Sequence, residues 1–137
     1  MAETKPPTIA GLVWSGGLRF AATSGSSAIV VDGDGAAGPS PVQVAAFGLA
    51  GCMSADVVSI LEKGRHGLTG LRVSFRGERA DEPPRRFLRI TLQFHVSGAV
   101  PAAAVERAIA LSRERYCSVW HSMRQDIDFL TSFDIRA

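Results

Sequence analysis

Apolar and polar side chains alternate along several stretches of this chain, as expected where successive residues of a half-buried strand point to opposite faces. The clearest stretch is 88–96, in which every second residue is apolar. The segment 71–76 shares this period and predicts the other strand of a hairpin, and 18–23 shows it near the start of the chain. Three other apolar runs also predict strands. They are 9–14, 28–31 and 127–135.

A long helix is predicted between positions 41 and 63. Ser40 and Gln43 have the spacing of a capping box, and Pro41 suits the first helical position. Gly64 predicts the end of this helix.

The predicted long helix is apolar on every side, which is typical of a helix that is buried all round. From 44 to 55 only Cys52 and Ser54 carry polar side chains. Asp56 and Ser59 then interrupt the apolar run, and an acid in the middle of a membrane costs a few kcal/mol. A buried core helix is therefore favoured over a membrane span.

Two helical segments are predicted in the last third of the chain. One begins at Pro101 and extends to about Arg113, and apolar residues between 116 and 123 also have helical spacing. The order of strands, buried helix, hairpin, helices and strand predicts an α+β fold. No linker is long enough to divide the chain, so we expect a single domain over 1–137.

Composition and charge exclude several classes of function. The 137 residues are 46% apolar and 20% charged, as in ordinary globular domains, and the net charge of +2 is too even to favour nucleic acid or an anionic membrane as a partner. The segment 1–8 lacks the basic and apolar regions of a secretory signal, so we expect a cytoplasmic protein. The spacing of His66, His95 and His121 does not indicate a metal site.

Cys52 and Cys117 are the only thiols of the chain. Each alone is adequately explained as a small apolar residue of the core. In a reducing compartment, however, a permanent structural disulfide is uncommon. If the two cysteines pair there, the disulfide is more often a transient one that takes part in a reaction. A cysteine that reduces peroxide needs a thiolate, access for the oxidant and a second thiol to trap the sulfenic acid, and this pair meets the last requirement.

Several motifs occur in the order found in one known family. The segment 40–43, followed by Ala-Gly-Cys at 50–52 and Asp-Val-Val-Ser-Ile-Leu at 56–61, resembles the signature helix of the OsmC/Ohr family. Gly-Glu-Arg at 77–79 and Ser-Arg-Glu-Arg-Tyr-Cys-Ser-Val at 112–119 continue the resemblance. Because separated motifs recur in order, the resemblance is specific and runs from about Gly38 to the end of the chain.

The resemblance implies a thiol-dependent peroxidase for organic hydroperoxides that uses neither a metal nor an organic cofactor. In this interpretation Cys52 attacks the peroxide, Cys117 resolves the sulfenic acid as a disulfide, and an external dithiol reduces that disulfide. The family fold implies an intertwined homodimer, in which long buried helices are clasped by antiparallel sheets and the sites lie at the subunit boundary.

The resemblance also implies an arginine from the first strands that holds the thiolate and orients the peroxide. Arg19 is the only arginine before residue 65 and is the candidate, although it is equally well explained as a solvated strand residue. A nearby guanidinium would lower the pKa of the Cys52 thiol. The family usually has a glutamate where this sequence has Gln43, which can accept a hydrogen bond without the charge or can serve only in the capping box.

Other side chains near the cysteines allow two interpretations. Apolar residues that would line the approach of an organic hydroperoxide are also explained by core packing, which is the simpler role; they are Phe47, Met53, Trp120 and Met123. Asp56 would raise the pKa of Cys52 if it faced the same cavity, so we expect it to point away or to form a hydrogen bond with the backbone where helices cross.

Two other functions remain open from the sequence. The departure at Gln43 is consistent with a small-molecule binding module that has the same fold and little turnover. The cysteine pair would also suit a redox sensor that changes a partner interface upon oxidation.

Overall fold

The computed structural model describes residues 4–137. Met1, Ala2 and Glu3 lie outside the described residues. They belong to the segment 1–8, on which the expectation of a cytoplasmic protein is based. The chain forms two compact units, one ending at Ala45 and the other running from Ala46 to Ala137.

The first unit is built on a three-stranded antiparallel sheet in the order β1-β2-β3. Its strands are β1 (Gly11–Trp14), β2 (Arg19–Ser24) and β3 (Ser27–Asp32), so the three strands predicted for this region are confirmed within one or two residues. The turn between β1 and β2 contains Gly16 and Gly17, both of which have positive φ angles that favour glycine.

A buried carboxylate organises the loop that follows β3. Asp32 accepts hydrogen bonds from the N–H groups of Asp34 (2.9 Å), Ala36 (3.3 Å) and Ala37 (2.9 Å). These bonds, the one from Ala37 above all, hold the pKa of Asp32 below its usual value. The carboxylate thereby fixes the turn that leads into the long helix.

The long helix α1 (Pro41–Lys63) has the bounds that the sequence predicts. Its capping box is formed as expected: the Ser40 N–H donates to Gln43 Oε1 (2.9 Å), and the Gln43 N–H donates to Ser40 Oγ (3.2 Å). At its end, the Gly64 N–H donates to the carbonyl oxygen of Ile60 (3.0 Å).

Within one chain, α1 buries a single stripe, contrary to the expectation that it is buried all round. The fully buried residues recur every four positions, at Leu49, Met53, Val57 and Leu61, whereas Phe47 is 66% exposed. A single copy offers core to one face of the helix only, which explains the difference. The helix is long and apolar enough to cross a membrane, a test that core helices of soluble proteins also pass.

The second unit contains a three-stranded sheet in the order β4-β5-β6. β4 (Gly67–Arg79) and β5 (Phe87–Ala99) form the predicted antiparallel hairpin, with strands longer than the alternation indicates. β6 (Asp128–Arg136) pairs with β5 in parallel, so the expectation of purely antiparallel sheets is corrected to a mixed sheet here. The helical connection between β5 and β6 is long enough to return the chain for parallel pairing.

That connection begins as an α-helix and then changes its hydrogen-bond pattern. Helix α2 (Ala102–Leu111) continues into a π-helical turn, Ser112–Tyr116, and after Cys117 the short helix α3 (Ser118–His121) follows. The predicted second helix is therefore confirmed, whereas the π-helical turn is not apparent from the sequence pattern. The α+β fold class predicted from the element order is confirmed.

The core of the second unit is formed by one stripe of α1, the inner face of the sheet and the inner faces of the helical connection. Its buried hydrophobic members are Leu49, Met53, Val57, Leu61, Ile90, Leu92, Phe94, Val96, Val100, Val105, Ala108, Ile109, Cys117, Trp120, Ile127 and Phe129.

Candidate active site

Cys52 lies near the middle of α1, directly before the buried Met53. It is a free thiol, half-buried and packed against the core of the second unit. Its place beside the buried stripe, rather than on it, leaves the residue partly exposed.

Cys117 occupies the junction between the π-helical turn and α3. It is a free thiol with no exposed surface. As the N-cap residue of α3, it accepts a hydrogen bond at Sγ from the Trp120 N–H (3.4 Å). Trp120 is itself buried, and its ring packs against Phe129 with 4.4 Å between the centroids. The cap, and with it the sulfur, is thus anchored to β6.

The two thiols lie side by side. Burial raises the pKa of Cys117 from the ordinary value of 9.0 to about 11, and the Trp120 N–H offsets part of this rise. The neighbouring Cys52 adds to the rise through a hydrogen bond and through its charge. Cys117 is therefore protonated at neutral pH, and it is also the less exposed of the two cysteines.

A side-chain hydrogen bond joins the two elements that carry the cysteines. Ser112 Oγ donates to Asp56 Oδ2 (2.7 Å), and Asp56 lies one helical turn after Cys52 on α1. Asp56 does form a hydrogen bond to another helical segment, but its partner is the Ser112 hydroxyl and not the backbone group that we expected. Asp56 is considered individually in the sequence analysis, whereas Ser112 appears there only as part of the motif at 112–119. The available signal was that Ser112 is a polar residue near the end of a predicted core-facing helix.

Arg19 lies in the first unit, on β2, where it is exposed and pairs in register with Asp32 of β3. Its positive charge contributes to the lowered pKa of Asp32, although backbone hydrogen bonds from Ala37 and Asp34 contribute more. A terminal guanidinium nitrogen lies over Gly16, 3.1 Å from where a Cβ would stand. Its expected role beside the Cys52 thiolate stays a prediction.

Gln43 is engaged in the capping box through both its backbone N–H and its side-chain oxygen. Among residues 4–137, no hydrogen bond joins Gln43 to Arg19. Of the two roles considered for Gln43, the structure shows the one in the capping box.

The four residues considered for a substrate approach lie in different surroundings. Met53 and Trp120 are buried in the core of the second unit, and Met123 packs against it, in agreement with the simpler interpretation. Phe47 alone is largely exposed. The two buried side chains therefore have almost no surface at which an entering hydroperoxide could contact them.

A polar row crosses the outer face of the second sheet. His95 Nδ1 lies 2.8 Å from Asp134 Oδ2, and Ser74 Oγ lies 3.5 Å from His95 Nε2. Serine, histidine and aspartate follow one another here as in a catalytic triad. The contact between serine and histidine is long, however, and the three side chains lie on an open strand face. We therefore interpret them as cross-strand pairs that stabilise the sheet. Within the described part of the chain, no cluster of three or more His, Cys, Asp or Glu side chains could hold a metal ion.

The fold and the site together define an α+β protein in which a half-exposed thiol on a long helix faces a buried, protonated thiol. The chain belongs to the OsmC family: the model for this family, described as "OsmC-like protein", matches residues 32–132. The match spans most of the chain and confirms the resemblance inferred from the motifs.

Similar proteins agree with this membership. Protein YhfA of Escherichia coli strain K12 is 39% identical over 127 residues, covering 90% of this chain and 95% of that protein. An OsmC-like protein from Mycoplasma pneumoniae has a TM-score of 0.85 at 15% identity, covering 98% of this chain and 100% of its own. An organic hydroperoxide resistance protein OsmC from Legionella pneumophila has a TM-score of 0.71 at 18% identity, covering 96% and 99%. At these identities the two structures show a shared fold.

Proposed function

We propose that this protein is a cysteine-based peroxidase that reduces organic hydroperoxides. The observation that carries the proposal is the pairing of a half-buried Cys52 with a buried Cys117 whose pKa is raised to about 11. Membership of the OsmC family, and the hydroperoxide resistance named for the Legionella pneumophila protein of the same fold, support this activity.

In the first step the Cys52 thiolate attacks the distal oxygen of the hydroperoxide. The S–O bond forms as the O–O bond breaks, Cys52 is oxidised to a sulfenic acid, and the leaving alkoxide takes a proton to become an alcohol. Cys52 has this role because it is the more exposed thiol, whereas Cys117 is enclosed and protonated.

In the second step the Cys117 sulfur displaces the hydroxyl of the Cys52 sulfenic acid. The S–S bond forms, and the hydroxyl leaves as water with the proton that Cys117 gives up. The proximity of the two side chains, seen in the effect of Cys52 on the pKa of Cys117, supports this step. An external dithiol then reduces the disulfide and is itself oxidised, which suits a cytoplasmic location.

Arg19 is our candidate for the group that orients the peroxide. Its exposure on β2 leaves the guanidinium free to contact a bound oxidant. We expect Arg19→Ala to lower kcat/KM for organic hydroperoxides by roughly 100–1,000-fold, while the Cys52 sulfenic acid that does form is still resolved by Cys117. Arg136, an exposed arginine at the far end of the chain, provides the control, and Arg136→Ala should behave as wild type.

We also propose that the protein is a homodimer. The surface of α1 beyond its buried stripe is apolar, with Phe47 66% exposed, and several side chains of the first sheet are apolar and exposed as well. Burial of such surface in a symmetric interface is favourable by roughly 25 cal/mol per Å². The intertwined dimer that the family resemblance implies would cover it.

The peroxidase proposal is tested by following hydroperoxide consumption in the presence of an excess of dithiol. Cys52→Ser should lose turnover by about three orders of magnitude or more, since the nucleophile is absent. In a parallel sample without dithiol, Cys117→Ser should react once and stop as a sulfenic acid that a dimedone probe traps. A Cys52→Ser variant that consumes hydroperoxide as fast as wild type would overturn the proposal.

The same assay separates the two other functions considered from the sequence. When hydroperoxide is added without dithiol, a binding module would leave both thiols reduced. A redox sensor would form the disulfide but turn over slowly with every dithiol, and would retain a partner in one redox form only.

A further inference from the structure

We infer that the hydrogen bond between Asp56 and Ser112 positions Cys117 for disulfide formation with Cys52. Asp56 and Ser112 are thus positioning residues, which act through Cys117 and touch neither peroxide nor reductant. This inference rests on the proposed function, because it assigns a device to the second step of that reaction.

Ser112 is joined to both cysteine-bearing elements. Its hydroxyl donates to Asp56 Oδ2 on α1 (2.7 Å), and its carbonyl oxygen accepts from the Cys117 N–H (2.8 Å). Asp56 follows Cys52 by four positions, so both side chains lie on one face of α1. Two consecutive hydrogen bonds thereby connect the helix of the first thiol to the backbone of the second.

The bond between the Cys117 N–H and the Ser112 carbonyl spans five residues and is the closing bond of the π-helical turn. A π-helical turn is less common than α-helix and is often found at functional sites. If this turn relaxed to α-helix, each later residue would be displaced by one position, a rotation of about 100° around the axis. Such a rotation would turn the Cys117 side chain away from Cys52.

The Asp56 bond opposes this relaxation because it fixes Ser112, the first residue of the turn. Ser112 has no exposed surface, so a hydroxyl without its partner would remain buried and unsatisfied. The acceptor is a carboxylate, and bonds to charged acceptors are roughly twice as strong as neutral ones. The position of Cys117 therefore depends on a polar contact rather than on packing alone.

The reaction consequence is specific to one step. Attack of Cys52 on the hydroperoxide needs no contribution from Cys117 and should proceed without the tether. Resolution requires the Cys117 sulfur to reach the sulfenic acid, so it should slow when the tether is removed. With any other oxidant, removal of the tether should likewise shift the equilibrium between dithiol and disulfide towards the dithiol.

The test compares Asp56→Ala, Ser112→Ala and the double variant with wild type. Three quantities are measured: the rate of Cys52 oxidation by cumene hydroperoxide, the rate of disulfide formation that follows, and the equilibrium between dithiol and disulfide in a glutathione buffer. We expect the rate of Cys52 oxidation to change less than about twofold. Disulfide formation should slow by roughly tenfold, and the equilibrium should shift about tenfold towards the dithiol, or about 30 mV.

Two further variants distinguish positioning from general destabilisation. Asp56→Asn keeps an oxygen that can accept from Ser112, and it should recover most of the rate of disulfide formation. Ser54→Ala removes a hydroxyl from the same helix whose bond, to the Ala50 carbonyl oxygen (2.6 Å), stays within α1. Ser54→Ala should leave all three measurements unchanged. The double variant should match either single variant, because both remove the same contact.

Equal slowing of both steps, loss of the disulfide in Ser54→Ala, or an unchanged disulfide rate in both alanine variants would overturn the inference. If Asp56→Ala does not fold, Ser112→Ala carries the test, since it deletes only one hydroxyl. Should wild type form the disulfide in glutathione but not with hydroperoxide, the proposed function fails. The shift in the glutathione equilibrium then still decides the role of the tether.

Discussion

The two compact units of this chain differ in how completely they bury their own apolar side chains. The second unit, from Ala46, encloses a core formed by helix, sheet and connection. In the described part of the first unit, Val31 is the only buried hydrophobic side chain, and it is still 9% exposed, whereas Val13 and Trp14 are 70% and 66% exposed. The second unit thus supports its thiol pair with its own core, while the first leaves most of its apolar side chains exposed.

The largest effect is expected from truncating the core of the second unit. Phe94 on β5 has no exposed surface, and Phe94→Ala should lower the free energy of unfolding by about 3–5 kcal/mol in a urea titration. Trp14→Ala removes a larger side chain from an exposed site. Measured at a protein concentration low enough to keep the protein monomeric, it should lower the free energy of unfolding by less than about 1 kcal/mol. Equal losses in the two variants would contradict the comparison between the units.

Self-association should depend on the first unit. Val13→Glu places a charge in its exposed apolar surface and should raise the dimer dissociation constant by roughly 100-fold, as measured by analytical ultracentrifugation. Leu130 is also exposed and apolar, but it lies on β6 of the second unit, so Leu130→Glu is the matched control. A wild-type protein that remains monomeric at high concentration would contradict the proposed dimer.

The stability of the reduced protein should fall between about pH 9 and pH 11. The folded protein holds the Cys117 proton up to about pH 11, chiefly through burial, whereas the unfolded chain releases it near 9.0. In this window the folded state binds more protons, so stability decreases as the pH rises, on the order of 2 kcal/mol in total.

Unfolding by urea at pH 8.5 and pH 11, with a reductant present, measures this loss. Cys117→Ser removes the titrating group and should lose less stability over the same interval. Identical losses in wild type and Cys117→Ser would show that another group causes the pH dependence.

The smallest effects concern the start of α1. Gln43→Ala removes the side-chain acceptor of the Ser40 N–H and should lower stability by roughly 0.5–1 kcal/mol in thermal unfolding. Gln43→Glu retains the acceptor and adds a negative charge near the helix N-terminus, which should raise stability by a few tenths of a kcal/mol. A larger loss in Gln43→Glu than in Gln43→Ala would exclude the capping role.

Much of the fold is predictable from the sequence because local signals agree there with tertiary structure. The capping box at Ser40 and Gln43 places the start of α1, and the alternation in 88–96 places β5. Parallel pairing of β6 is not predictable in this way, because alternation specifies which face is buried but not the direction of a neighbouring strand. The one-sided burial of α1 escapes prediction as well, since an apolar composition does not specify which faces of a helix a single chain covers.

The candidate site is predictable in part. Cys52 and Cys117 stand out because they are the only thiols, and the motif resemblance pairs them. The π-helical turn and the contact from Ser112 to Asp56 have no local signature, since Ser112 occupies a position that helical periodicity assigns to the core. The raised pKa of Cys117 depends on burial by residues distant in sequence, which only the folded chain brings together.

The central claim is that Cys52 and Cys117 of one chain are joined when the protein reduces a hydroperoxide. It is tested most directly by adding one equivalent of cumene hydroperoxide to the reduced protein and measuring the intact mass and the cross-linked peptides. We predict the loss of about 2 Da, from two hydrogen atoms, and one peptide pair that links Cys52 to Cys117 within a chain. Two free thiols after the hydroperoxide is added, or a disulfide only between chains, would contradict the claim.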